Sequence, residues 1–157
     1  MSIPPLEPSG DQHRIYLDAN ILFSAARLDG AIRKVFRLGI DRGYAYVADA
    51  YVVAEARRNL SRKASADSLQ SFESLLQQID VVEAQRCDPD AEIAAWLPAK
   101  DRPVLLAAIA LRCELLVTGD RDFEAGYGQR FDGVKVVNAQ QWAEHMLTRR
   151  KPPEQHS

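Results

Sequence analysis

Arg14-Ile15-Tyr16-Leu17-Asp18 and Leu115-Leu116-Val117-Thr118-Gly119-Asp120 are two short apolar runs, each ending on or just before an acid. Each reads as a buried strand, over Arg14 to Leu17 and Leu115 to Thr118, because apolar runs this short and bounded by turn residues fit strands better than helices. Two more strands read from Tyr44 to Ala48 and around Val81-Val82, between Asp80 and Glu83, and a last one from Val134 to Val137. Helical spacing of apolar residues fills the intervals. Ile32, Val35, Phe36 and Ile40 mark a helix over Ala31 to Ile40 that Gly43 stops. Asp49 is placed to cap a helix from Ala50 to Leu60. Further helices are expected from Asp67 to Gln78, from Pro89 to Leu97, from Pro103 to Arg112 with proline in its first turn, and from Ala139 to Leu147. Strands alternating with helices predict a single α/β domain, a central parallel sheet flanked by helices in three layers.

Composition narrows what such a domain can do. The chain of 157 residues is 46% hydrophobic and 27% charged, which is too apolar for a disordered chain and suits one domain with a real core. A net charge of −2 argues against gripping nucleic acid by bulk positive charge, so any such binding needs a local basic patch or bridging cations. Cys87 and Cys113 form no C-x-x-C pair, which suggests neither a zinc site nor a disulfide framework but two thiols in a reducing cytoplasm. The longest apolar run, Pro103 to Leu111, has about half the length of a membrane span. Met1 to His13 reads as a flexible arm without a signal pattern, and Thr148 to Ser157 as a flexible tail. G-x-x-x-x-G-K and G-x-S-x-G are both absent, which excludes P-loop and serine-hydrolase chemistry.

The acids are the informative feature. In an open parallel sheet, ligands collect at the carboxyl ends of the strands. Asp18 and Asp120 follow strands directly, and Asp101 begins a helix that leads back down to the strand at Leu115. Glu55 lies about 8 Å along the helix leaving the second strand, with Tyr51 and Val52 as its preceding neighbours on one face. Each has a plain structural alternative: Asp18 as a turn residue, Asp101 as a helix cap, Glu55 paired with Arg58 or Asn59, Asp120 and Asp122 as caps of a short helix. Together they converge on one edge, where like charges are costly unless a cation neutralises them. Oxygen-only donors without His or Cys suit Mg²⁺ or Mn²⁺, and such a site serves attack of water on a backbone phosphate.

The segments Leu17-Asp18-Ala19-Asn20-Ile21-Leu22, Ala54-Glu55-Ala56, Lys100-Asp101-Arg102-Pro103 and Thr118-Gly119-Asp120-Arg121-Asp122-Phe123 resemble the motifs of PIN-domain ribonucleases. The resemblance spans Arg14 to Leu147 and implies metal-dependent endonucleolytic cleavage of RNA in the cytoplasm. It implies that Asp18, Glu55, Asp101 and Asp120 are catalytic metal-binding acids, that Asp122 is an accessory metal acid, and that Asn20 and Thr118 orient them. The bacterial branch it resembles consists of toxins paired with a small antitoxin protein that blocks the pocket, and it also implies a homodimer. Ala19 departs from the pattern, since many relatives carry threonine there. Arg57, Arg58, Arg62, Lys63, Arg102 and Arg121 are expected to guide the RNA backbone, against the alternative of solvated helix charges. His13, His145 and His156 fall in no motif, and Trp96 and Trp142 are expected in amphipathic helices. A non-cleaving RNA- or protein-binding module of the same fold is the alternative, which loss of an acid would mark. A phosphatase of the haloacid-dehalogenase type would want a second aspartate where Asn20 stands.

Overall fold

The computed structural model describes residues 13–27, 30–63 and 65–148. Six strands form one sheet in the order β3-β2-β1-β4-β6-β5. The strands are β1 (His13–Leu17), β2 (Tyr44–Asp49), β3 (Asp80–Val82), β4 (Leu115–Val117), β5 (Arg130–Phe131) and β6 (Val134–Val137). All neighbouring pairs are parallel except the terminal β5–β6 pair, so the expected parallel sheet acquires one antiparallel edge. Six helices accompany it: α1 (Ala19–Ala26), α2 (Gly30–Asp41), α3 (Ala50–Lys63), α4 (Ala66–Leu76), α5 (Arg102–Ala110) and α6 (Ala139–Thr148). The expected arm and tail lie outside the described residues, apart from His13, which opens β1, and Thr148, which ends α6. Among the described residues no helix is long and apolar enough to cross a membrane.

The central strands are apolar on both faces because helices cover both. Ile15, Tyr16 and Leu17 of β1 and Leu115, Leu116 and Val117 of β4 are all buried. Fully burying such side chains contributes roughly 1.5–3 kcal/mol each, which is why these short strands hold the centre of the sheet. Phe36 stacks on Tyr46, and Trp142 of α6 meets the same ring edge-on.

Three elements differ from the sequence reading. Helix α1 carries buried residues at Ala19, Ile21, Leu22, Ala25 and Ala26, so it lacks the one-sided periodicity that reveals a surface helix. Strand β5 has two residues, too few to show alternation. The helix expected over Pro89 to Leu97 is reduced to a 3-10 turn at Glu92–Ala94. There the Asp88 side chain accepts a hydrogen bond from the Asp90 N–H, a local turn that competes with helix. Trp96 accordingly sits beyond a turn rather than in an amphipathic helix, its indole donating to the Ile93 carbonyl and its ring stacked on Phe131.

Candidate metal centre

Register brings the first two acidic segments together. Leu17 pairs with Val117 across β1 and β4, and the Asp18 N–H continues the ladder by donating to the Val117 carbonyl at 3.0 Å. Asp18 and Thr118, the next residue on each strand, are therefore neighbours at the carboxyl edge. The Thr118 hydroxyl donates to Asp18 Oδ2 at 2.7 Å and accepts from the Asp120 N–H at 3.1 Å. Asn20 braces the same turn, its Oδ1 accepting from the Gly119 N–H at 2.8 Å.

Asp18 also caps α1, with Oδ1 accepting from the Ala19 N–H at 2.8 Å. Asp120 caps the 3-10 turn over Arg121–Gly126 by accepting from the Asp122 N–H at 2.9 Å. The capping role expected as the plain alternative is real for Asp120, and Asp18, whose plain alternative was a turn residue, caps as well, yet both carboxylates line the same cleft. Asp101 behaves differently. It stands at the start of α5, but its side chain makes no capping hydrogen bond, and the residue is only 6% exposed. A buried carboxylate that caps nothing points to another use.

One carboxylate oxygen from each of Asp101, Asp120 and Asp122 lies within 4.8 Å of the other two. Asp18 and Glu55 stand outside that trio but line the same cleft, together with Asn20, Asp101 and Asp120. Asp122 belongs to the trio without lining the cleft. Lys100 sits among these acids. Its Nζ lies 3.3 Å from Asp101 Oδ2, 3.1 Å from Asp122 Oδ2 and 3.8 Å from Asp120 Oδ2, and its carbonyl accepts from the Tyr51 hydroxyl at 2.9 Å. One ammonium serves three carboxylates.

The electrostatics record a shortage of positive charge. Burial pushes the Asp18 carboxyl up to about 6, against the Thr118 and Ala19 hydrogen bonds, with Glu55 and Asp120 adding like charge. Burial raises Asp101 to about 7, aided by its hydrogen bond with Asp122 and the charge of Asp120 and opposed by Lys100. Asp122, by contrast, is held below the usual carboxylate range by that same hydrogen bond and by Lys100. An oxygen-only donor set, closely spaced and short of counter-charge, fits a hard divalent cation.

The structure also sorts the basic residues. Arg57 is tied to Glu73 by two hydrogen bonds and lies over the Phe72 ring. Arg102 donates to the Leu97 and Pro89 carbonyls, holding the approach to α5. Lys63 lines the cleft, as do Asn59 and Phe23, which the sequence reading left without a site role. The signal for Asn59 was its spacing, four residues after Glu55 and four before Lys63 on one helix. His13 and His145 flank Glu114 beside the amino end of β1, away from the acids.

A family model described as "PIN domain" matches residues 14–122. No curated protein matches the chain. Among solved structures it is similar in fold to VapBC2 from Rickettsia felis bound to a DNA fragment from its promoter, with a TM-score of 0.57 and 15% identity over 80% of this chain and 98% of that one. It is also similar to Mycobacterium tuberculosis VapC20, a sarcin-ricin-loop-cleaving toxin, with a TM-score of 0.52 and 13% identity over 71% and 93% of the two chains. A third is FitAB bound to the IR36 DNA fragment, with a TM-score of 0.56 and 18% identity over 91% and 99%. The family match takes in β1 through Asp122, and with it every acid of the cleft: this chain belongs to the PIN-domain family.

Proposed function

We propose that the protein is a Mg²⁺- or Mn²⁺-dependent endoribonuclease, the toxin of a toxin–antitoxin pair. The observation that carries this reading is Asp101, a buried acid that caps nothing, raised by burial and like charge, facing Asp120 and Asp122 on the cleft that Asp18 and Glu55 line. Asp101, Asp120 and Asp122, with Asp18 and Glu55 beside them, would hold the cation. When bound, such an ion supplies a lowered pKa for water and counter-charge for the phosphate. The chain's own residues do the rest. Thr118 orients the Asp18 carboxylate and, with Asn20, holds the backbone of the turn that carries Asp120, and a carboxylate of the cleft accepts the proton of the attacking water. The antitoxin partner, a homodimer and a cytoplasmic setting belong to this proposal, with fold likeness to VapBC2 and FitAB as support.

The test is incubation of a mixed RNA pool with Mg²⁺ or Mn²⁺, comparing wild type with Asp18→Asn. Cleavage that EDTA and the substitution both abolish is expected. Cleavage that survives both overturns the metal mechanism, and RNA bound but uncut favours the non-cleaving module.

A further inference from the structure

Glu55, Asn59 and Lys63 follow one another at four-residue spacing on α3, and all three line the cleft. None of the three side chains has a hydrogen bond or ion pair among the described residues. The adjoining face of α3 behaves differently: Arg57 pairs with Glu73, and the Ser61 hydroxyl donates to the Arg57 carbonyl. What sets the row apart is its position: a carboxylate, an amide and an ammonium stand in line along one side of the acidic cleft, their polar groups open to a ligand there. Across the cleft, the half-buried Phe23 of α1 presents an aromatic side chain, and the Arg27 guanidinium lies 5.5 Å from its ring centroid.

The row changes charge along its length. Glu55 stands with the acids, Asn59 offers a donor and an acceptor, and Lys63 brings a cation about 12 Å further along the helix axis. Because helical side chains lean toward the helix N-terminus, the Lys63 ammonium reaches back over the Asn59 turn. An RNA strand with one phosphate at the acids would find its neighbouring phosphate repelled by them, unless a cation waits beside the next position. The cleft volume is about 250 Å³. An open cleft with an aromatic ring, an amide and an ammonium on its walls suits recognition of an unpaired base by stacking and amide hydrogen bonds.

We infer that Phe23, Asn59 and Lys63 form a subsite for the single nucleotide of single-stranded RNA that flanks the scissile phosphate. Phe23 stacks the base, Asn59 hydrogen-bonds its edge, and Lys63 takes the phosphate. The inference rests on the endoribonuclease reading of the same cleft, and its test separates the two.

The probe is a fluorescent mixed-sequence single-stranded oligoribonucleotide, its binding followed by anisotropy in Ca²⁺ over a range of salt, with cleavage followed in Mn²⁺. Lys63→Gln is expected to weaken binding and lower the salt slope by about one, with Lys63→Arg restoring both. Phe23→Leu keeps the apolar packing but not the aromatic face, and is expected to weaken binding about tenfold. Asn59→Ala is expected to change which positions are cut. Thermal melting checks that each variant is folded. If wild type cuts RNA while Lys63→Gln and Phe23→Leu bind it as wild type does, the subsite is wrong and the nuclease reading stands. If wild type binds without cutting and the variants bind more weakly, the nuclease reading falls, and with it the placement beside a scissile phosphate, while the three residues stand as RNA contacts. If wild type neither binds nor cuts, both fall.

Discussion

Asp18 and Asp49 are both buried aspartates at the carboxyl end of adjacent strands, and they face opposite fates. Asp49 is enclosed by donors: Tyr16 O–H at 2.9 Å, Val52 N–H at 3.4 Å and Gln85 N–H at 3.3 Å. It closes the start of α3 and ties β2 to the chain beyond β3. Asp18 also accepts two hydrogen bonds, yet it opens on a cleft shared with Glu55, Asp101 and Asp120. Burial and strand-end position are common to both. What separates them is company: donors surround one, other carboxylates surround the other.

That contrast predicts opposite stability effects. Asp49→Ala leaves the fully buried Tyr16 hydroxyl and two backbone N–H groups without their acceptor, a cost of about 3 kcal/mol. In a chain of this size it should lower the melting temperature by about 10 °C, by far the largest change expected. Asp18→Asn removes a charge that the fold holds at a cost, so the cation-free protein should melt no lower than wild type. Cleavage, however, should fall at least about 100-fold in assays with Mn²⁺. Equal destabilisation by the two substitutions would erase the distinction between them.

Thr118→Val tests the link between the two strand ends. It deletes the hydroxyl that donates to Asp18 and accepts from Asp120 N–H, and metal affinity or activity should fall about 10- to 100-fold, read by calorimetry with Mn²⁺ and by RNA cleavage. An unchanged Mn²⁺ affinity would show that Asp18 needs no bracing.

The pH dependence follows from the raised acids. A carboxyl whose folded pKa exceeds its unfolded value is a cost when ionised, so stability falls as pH rises through the folded value. With Asp18 near 6 and Asp101 near 7, the cation-free protein should gain stability as pH falls from 8 to 5.5. Mn²⁺ needs the ionised carboxylates, so its affinity should fall over the same window. Melting curves with and without Mn²⁺ at several pH values check both signs.

The smallest effect concerns Lys100. Its ammonium occupies the space between Asp101 and Asp122 that a cation would contest. Lys100→Gln should therefore bind Mn²⁺ a few-fold more tightly in titration calorimetry, while the cation-free protein loses a little stability. Weaker binding would mean that Lys100 organises the acids rather than competing for them.

Much of this architecture could be read along the chain. The buried strands at Ile15 to Leu17 and Leu115 to Val117 announce themselves as short apolar runs, and each is followed by an acid. The alternation of strand and helix then places those acids on one edge. Lys63 stood among six basic residues expected along the RNA backbone and Asn59 was visible only as helical spacing, since nothing in a single helix says which of its faces meets a cleft. Helix α1 was hidden for the opposite reason, being apolar nearly all round.

The sequence by itself determined the parallel sheet, the order of its acidic segments and the oxygen-only character of the site, because these follow from local pattern and residue type. Tertiary structure alone decided the rest. It set Thr118 on Asp18 across 100 residues of chain through strand register. It put Lys100 and Asp122 among the acids by the reach of their side chains, and it enclosed Asp49 with donors from β1, α3 and the loop after β3. Whether a buried carboxylate meets donors or other carboxylates depends on which distant segments pack beside it, and no local pattern carries that.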